Sequence, residues 1–309
     1  AISAQDIDRA LDYPGLIAAI RAAFAGTAFA PARHHHAITR PGAADATLIL
    51  MPAWQAAAGF IGVKMVSVFP DNNTRQKPTV MATYVLMDGN TGEPLATLDG
   101  RALTLWRTAA TSALAAQILA APDAARLTMI GAGALAPYLI AAHAAVRPIR
   151  AVTIWNRSVD AAHALAASLA GSGMDVLVTE NLEEAVRGAD IVSVATLSQT
   201  PLVRGAWLKP GSHVDLVGAY TPQMREADDD AIRRARVFVD SRAGMRESGD
   251  IAIPLVSGVL AEGDVAGDLF DLARNPAAVW RGPTDITLFK SVGHAIEDLA
   301  GAVEVWRRL

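Results

Sequence analysis

The 309-residue sequence contains no cysteine, which excludes disulfide cross-links and thiolate chemistry. It has no basic run and no basic-aromatic stripe, and its net charge of −4 is small, so nothing in it argues for nucleic acid. No uninterrupted apolar run is long enough to span a bilayer. The first residues include Gln5, Asp6, Asp8 and Arg9 and do not read as a secretory signal. These absences lead to the expectation of a soluble cytoplasmic protein with neither nucleic acid nor membrane as a partner. What is abundant is alanine, within a composition that is 52 % hydrophobic, ample for two domains with real cores.

Residues 127–130 are apolar and β-prone and feed Gly131-Ala132-Gly133-Ala134-Leu135-Ala136, after which an alanine-rich helical pattern runs to about residue 146. Strand, glycine turn and helix together make a dinucleotide cradle. Gly131 permits the tight turn, and Gly133 lets the backbone approach a pyrophosphate at the positive helix end. Ala136 is small enough for the helix to pack on the strand. The next strand, 151–155, ends in Asn156-Arg157-Ser158. A carboxylate there would accept from the 2′-hydroxyl of NAD and repel a 2′-phosphate. None is present. Arg157 offers a planar donor fork to a phosphate, and Asn156 and Ser158 add uncharged donors, a set that predicts NADP(H) over NAD(H). Ser158 also suits a helix cap, and the two roles are compatible.

The first third reads as helices followed by antiparallel strands at 47–53, 59–69, 79–87 and 94–98. Three histidines, His34 to His36, precede them. Neighbours in an extended segment point to alternate faces and cannot easily share one ion, so no metal is expected there. Lys64 lies between Val63 and Met65 inside an apolar strand. A lysine there is costly unless it faces a polar cavity or an anion, which makes it a candidate site residue. A long helix over 101–119 carries Arg107-Thr108-Ala-Ala-Thr-Ser112, one charge among small residues that permit close backbone approach. From about residue 124 to 240 strands and helices alternate, predicting a doubly wound parallel sheet. Its strand 190–196 should bring Thr196 to the nicotinamide end. The last clear strand is 236–240, and residues 285–293 lead into a final amphipathic helix.

Taken together, Gly62-Val-Lys64, Arg107-Thr-Ala-Ala-Thr-Ser112, Ile130-Gly-Ala-Gly133, Gly218-Ala-Tyr-Thr-Pro222 with Met224-Arg-Glu226, and Leu288-Phe-Lys-Ser-Val-Gly293 resemble the ornithine cyclodeaminase/mu-crystallin family over nearly the whole chain. The resemblance implies an α/β protein. A Rossmann domain (121–289) would be inserted in an α+β domain for substrate binding and dimerisation (1–120 plus 290–309), with homodimers built by pairing the antiparallel sheets. It implies that Arg40 and Arg107 clamp a substrate carboxylate and that Lys64 sits beside the reacting carbon and nitrogen. Thr108 and the 290–293 segment, with Ser291, would line the cofactor.

Cyclodeaminases of this family carry an Asp where this chain has Tyr220, and a lysine where it has Met224. Both differences remove groups suited to an ornithine ammonium. What remains resembles the ketimine reductases of the family. The expected reaction is NADPH-dependent reduction of a cyclic imino acid, 1-pyrroline-2-carboxylate to L-proline or 1-piperideine-2-carboxylate to L-pipecolate. Lys64 is the first candidate proton donor and Tyr220 the second. Ornithine cyclodeaminase, an alanine-type dehydrogenase and a mu-crystallin-like NADPH-binding protein stand as alternatives, and ring size is left open.

Overall fold

The computed structural model describes residues 1–56, 59–279 and 281–309. The chain forms two compact units, one of Ala1–Thr108 with His294–Leu309 and one of Ala109–Gly293.

In the first unit, Ser3 and Asp6 form a capping box on α1 (Ala4–Ala10), and Asp12 caps α2 (Tyr13–Ala25). Six strands follow: β1 (Ala28–Phe29), β2 (His34–Ile38), β3 (Ala46–Gln55), β4 (Phe60–Val68), β5 (Val80–Asp88) and β6 (Pro94–Asp99). They form an antiparallel sheet in the order β1-β3-β4-β5-β6, with β2 also on β3. In β4, Gly62, Lys64 and Val66 are buried while Met65 between them is exposed, the period-two alternation of a strand. Lys64 pairs across with Met51 on one side and Tyr84 on the other. Gly62 has to be glycine, because a Cβ there would lie 1.9 Å from the Tyr84 hydroxyl. The C-terminal helix, Ala295–Arg308, packs on this buried face. The rings of His34 and His36 share the other face, 6.4 Å apart. Among the described residues no group of three or more His, Asp or Glu could hold a metal ion.

α3 (Gly100–Leu119) runs from the first unit into the second. The second unit then alternates β7 (Arg126–Ile130), α4 (Ala136–Val146), β8 (Ala151–Trp155), α5 (Val159–Ser168), β9 (Asp175–Val178), α6 (Leu182–Gly188), β10 (Ile191–Val194) and β11 (His213–Leu216). It continues with α7 (Asp229–Arg234), β12 (Ala235–Val239), α8 (Gly249–Ser257), β13 (Gly267–Asp268), α9 (Leu269–Arg274) and β14 (Ile286–Lys290). The eight strands are parallel, in the order β13-β12-β14-β11-β10-β7-β8-β9. The doubly wound sheet is therefore present and extends further than the sequence indicated. β12 is not its last strand: β14 inserts between β11 and β12, within the segment read only as an approach to the final helix. Thr287 and Lys290 hide the strand by interrupting its apolar run, yet every residue of β14 is buried.

No helix among the described residues is long and apolar enough to cross a membrane.

Candidate active site

In the first unit four charged side chains meet under the sheet. Lys64 is 2 % exposed, and its Nζ lies 2.8 Å from Oδ2 of Asp298 and 2.9 Å from Oδ1. Arg107, 5 % exposed, donates through Nε to Asp298 Oδ1 at 2.9 Å and through Nη1 to Glu297. Two cations thus balance two carboxylates, which is what lets the four stay buried together. Burial and the neighbouring Arg107 guanidinium pull Lys64 down to about 8, against the opposing pull of Asp298 and Glu297. Burial pushes Asp298 up, but Arg107 and Lys64 outweigh it and hold the carboxyl below its ordinary value. The Tyr84 hydroxyl, buried in the same sheet, is pushed well above its ordinary value by burial and by Asp298. A lysine poised near 8 can give or take a proton close to neutrality.

Arg40 is held apart from this cluster. It follows β2 at the Val68 end of β4, where its partners are Asp71 at 3.6 Å, the Ala44 carbonyl at 3.1 Å and the face of Phe69. The structure brings Lys64 and Arg107 to one carboxylate and does not bring Arg40 to it.

In the second unit a cavity of about 360 Å³ lies at the C-terminal ends of the parallel strands. It is lined by Gly131, Ala132 and Gly133 after β7, by Trp155 at the end of β8 with Asn156, Arg157 and Ser158 after it, and by Ala195 to Ser198 with Leu202 beyond β10. Gly131 has φ +107°, and a Cβ there would stand 2.4 Å from the Ala195 carbonyl, so only glycine fits. A Cβ at Gly133 would meet nothing within 4 Å, which leaves the backbone open to a close-packed ligand. Asn156 accepts from the Ala132 amide at 3.2 Å and donates to the Ser158 carbonyl at 2.9 Å, tying the glycine turn to the end of β8. Ser158 caps α5, and exposed Arg157 reaches the cavity between them. The glycine turn, the open approach at Gly133 and a cationic rim fit a dinucleotide phosphate.

Seven of the expected cofactor residues line this cavity: Gly131, Ala132, Gly133, Asn156, Arg157, Ser158 and Thr196. Thr108, Ala134 and Ser291 do not. Thr108 is buried in α3, Ala134 is exposed beyond the turn, and the Ser291 hydroxyl is buried at the end of β14. Tyr220 is 46 % exposed, on the loop after β11.

The chain is matched over residues 3–309 by the model of the ornithine cyclodeaminase/mu-crystallin family. It belongs to that family. One relative is the delta(1)-pyrroline-2-carboxylate reductase of Colwellia psychrerythraea, 35 % identical, with 100 % of this chain and 98 % of that protein covered. Among solved structures, the family fold is shared with Thermococcus litoralis delta(1)-pyrroline-2-carboxylate reductase in complex with NADH and L-proline. The two superpose with a TM-score of 0.92 at 31 % identity, over 99 % of this chain and 96 % of that one. An archaeal alanine dehydrogenase dimer with bound NAD gives a TM-score of 0.91 at 27 % identity, over 99 % and 94 %. Sequence reasoning missed this family member's Glu297 and Asp298, because in sequence they are only an acidic first turn. It also gave no role to Glu226, which is fully buried.

Proposed function

We propose that the chain is an NADPH-dependent reductase of cyclic imino acids, converting 1-pyrroline-2-carboxylate to L-proline, with 1-piperideine-2-carboxylate to L-pipecolate as the six-membered-ring counterpart that the assay has to decide. The observation that carries this reading is the buried Lys64 ammonium, which meets Arg107 at Asp298 and is drawn down to about 8 by burial and that guanidinium. A cyclic imine accepts hydride well only once its nitrogen is protonated, and a donor that titrates near neutrality suits that step. Arg107, which Asp298 and Glu297 orient, is the first candidate to meet the substrate carboxylate. Arg40, which Asp71, the Ala44 carbonyl and the Phe69 ring hold in this structure, is the second candidate for that carboxylate. An arriving carboxylate adds negative charge to a balanced cluster and so favours protonated Lys64 until the proton moves to the imine nitrogen. Tyr220 is the second candidate donor.

Gly131, Ala132, Gly133, Asn156, Arg157, Ser158 and Thr196, which line the cavity, are the residues assigned to the cofactor. Arg157 selects NADPH through the 2′-phosphate. When bound, the nicotinamide supplies the hydride. Tyr220 offers no carboxylate for a substrate ammonium, which favours an imine over ornithine. The similarity to a pyrroline-2-carboxylate reductase along the whole chain supports the same choice. We infer further that the protein works in the cytoplasm as a homodimer.

The test is NADPH oxidation with 1-pyrroline-2-carboxylate, run beside NADH and beside L-ornithine with NAD. Fast NADPH-dependent turnover without ornithine consumption is expected. Ammonia release from ornithine would replace the reductase with a cyclodeaminase. Tight NADPH binding without turnover would replace it with a binding protein.

A further inference from the structure

Glu226 is the most heavily bonded carboxylate beside the cofactor cavity. One of its oxygens accepts from the Thr196 amide at 2.7 Å and the Thr196 hydroxyl at 2.8 Å. The other accepts from the Gly218 amide at 2.9 Å and the Ala219 amide at 3.1 Å. A single buried side chain therefore ties together the loops that leave β10 and β11. The loops also touch through their backbones: a Cβ on Gly218 would lie 2.1 Å from both the nitrogen and the oxygen of Thr196. Thr196 lines the cavity, and Tyr220 stands one residue past Ala219.

The carboxylate is itself held from behind. Asp250, in the first turn of α8, accepts from the Glu226 amide at 2.7 Å and the Ala227 amide at 3.2 Å. Lys290, at the end of β14, places Nζ 3.2 Å from Asp250 and 3.9 Å from Glu226. One cation stands between two anions, and all three side chains are buried. Burial pushes Glu226 up, Lys290 partly offsets this and Asp250 adds to it, leaving the group at about 7. Burying that much charge costs stability, and a neutral side chain could join the loops at less cost. Perturbed groups of this kind concentrate at functional sites.

We propose that Glu226 is a positioning residue, which fixes the Thr196 wall of the cavity and the Gly218–Tyr220 loop against each other so that the nicotinamide end of the cofactor is held in one orientation. This rests on the reading of the cavity as the cofactor site. The pyrophosphate and adenosine would meet the Gly131–Gly133 and Asn156–Ser158 segments, to which Glu226 makes no hydrogen bond; its bonds go to Thr196, Gly218 and Ala219. Loosening the pin should therefore spoil orientation more than affinity.

The test compares wild type with E226Q. The variant is isosteric and leaves Lys290 its Asp250 partner, but it replaces one of the two acceptor oxygens with a donor amide. NADPH affinity is expected to change less than about threefold, while kcat falls by about tenfold to a hundredfold, the scale of a misplaced reacting group. The fluorescence of bound NADPH should lose the enhancement and anisotropy of an immobilised ring. Amide hydrogen exchange of the 196 and 218–219 segments should quicken without cofactor. The charged groups facing Glu226 are Lys290 and Asp250, and its loop partners are neutral. The fall in kcat as pH drops through about 7 in the wild type should accordingly be absent in E226Q. If E226Q does not fold, E226D repeats the affinity, fluorescence, exchange and kcat comparisons without the pH arm, since it keeps the charge and withdraws it from the loops. Unchanged ring fluorescence, loop exchange and kcat in a folded variant that binds NADPH would overturn the pin alone. A wild type that binds neither NADPH nor NADH would overturn the cofactor reading and the pin with it.

Discussion

Lys64 Nζ stands 2.8 Å from Asp298, so a residue in the second long strand is fixed by one in the last helix of the chain. Burial and Arg107 lower the Lys64 value and Asp298 raises it, so the carboxylate holds up the pH at which the ammonium is lost. If protonated Lys64 is the form that acts, kcat/KM falls as pH rises through about 8. D298N removes the stabilising anion, so this alkaline limb should move to lower pH. The pH profile of kcat/KM checks it, and a limb that stays in place or moves up would separate Lys64 from the proton transfer.

The contact between Gly62 and Tyr84 gives a prediction for stability. G62A puts a methyl group 1.9 Å from the Tyr84 hydroxyl and 2.5 Å from its ring carbon Cζ, inside a packed sheet face. The strand and ring must shift apart, at a cost of about 1–3 kcal/mol. Y84F should not restore stability, because the ring clash remains. Thermal unfolding of the two single variants and the double variant tests this, and full rescue by Y84F would place the strain at the hydroxyl alone.

The proposed preference for NADPH rests on Arg157 and can be tested there. Removing a charge-assisted contact to the 2′-phosphate should weaken NADPH binding by about 1.5–3 kcal/mol. NADH lacks that phosphate and should bind R157A about as well as wild type. Fluorescence titration with both nucleotides decides the point, and equal losses for the two would mean that Arg157 contacts a part common to both.

The second unit buries a histidine that bears on acid stability. Thr287 donates to the Leu119 carbonyl at 3.1 Å, so its oxygen is left to accept from His213 Nδ1 at 2.9 Å. Burial holds the ring neutral, with its value down at about 3, although Asp215 opposes the shift. The unfolded chain takes up a proton near pH 6.5 and the folded one does not. His213 therefore contributes stability in full above about pH 6.5, and that contribution is lost progressively as pH falls toward 3. Glu226 acts in the opposite sense between about 7 and its ordinary value, since its raised pKa favours the protonated fold. The informative quantity is thus the difference between wild type and H213Q. Urea midpoints at pH 7 and pH 4.5 should show the wild type losing more than the variant.

The cofactor half was legible because its determinants are contiguous. The glycine turn needs a few adjacent residues, and the strand end at Asn156-Arg157-Ser158 is read in place. Lys64 also stood out, because a lysine in an apolar strand needs an explanation wherever its partner lies. The partner did not stand out. Asp298 is 234 residues away from Lys64 and resembles any acid complementing a helix dipole. Glu226 was visible as part of a motif, but its four loop contacts depend on how β10 and β11 end side by side. Arg40 shows the converse: the sequence assigned it a partner in Arg107, whereas the turn after β2 gives it Asp71 and Phe69.

The outer face of the antiparallel sheet bears on assembly. Direct cross-strand pairing puts Leu50, Met65 and Thr83 on one face, with Pro52, Val63 and Val85 in the next row and Trp54, Ile61 and Met87 beyond. None of these nine is buried, and Trp54 and Met65 are among the exposed large hydrophobic residues. An antiparallel sheet with one face in water alternates apolar and polar residues. This one is apolar on both faces, the mark of a surface that meets a partner. A second copy of the same face is the simplest partner, since it is self-complementary about a two-fold axis. The wild type should therefore run at twice its 32.3 kDa chain mass in light scattering after gel filtration. M65E puts an unpaired carboxylate on the middle strand of the patch, where burial against a partner would strip its water. The variant should run near 32.3 kDa with its circular dichroism spectrum unchanged. A folded M65E that remains a dimer would move the interface to another surface, and a wild type that runs as a monomer would leave the apolar face to a different partner.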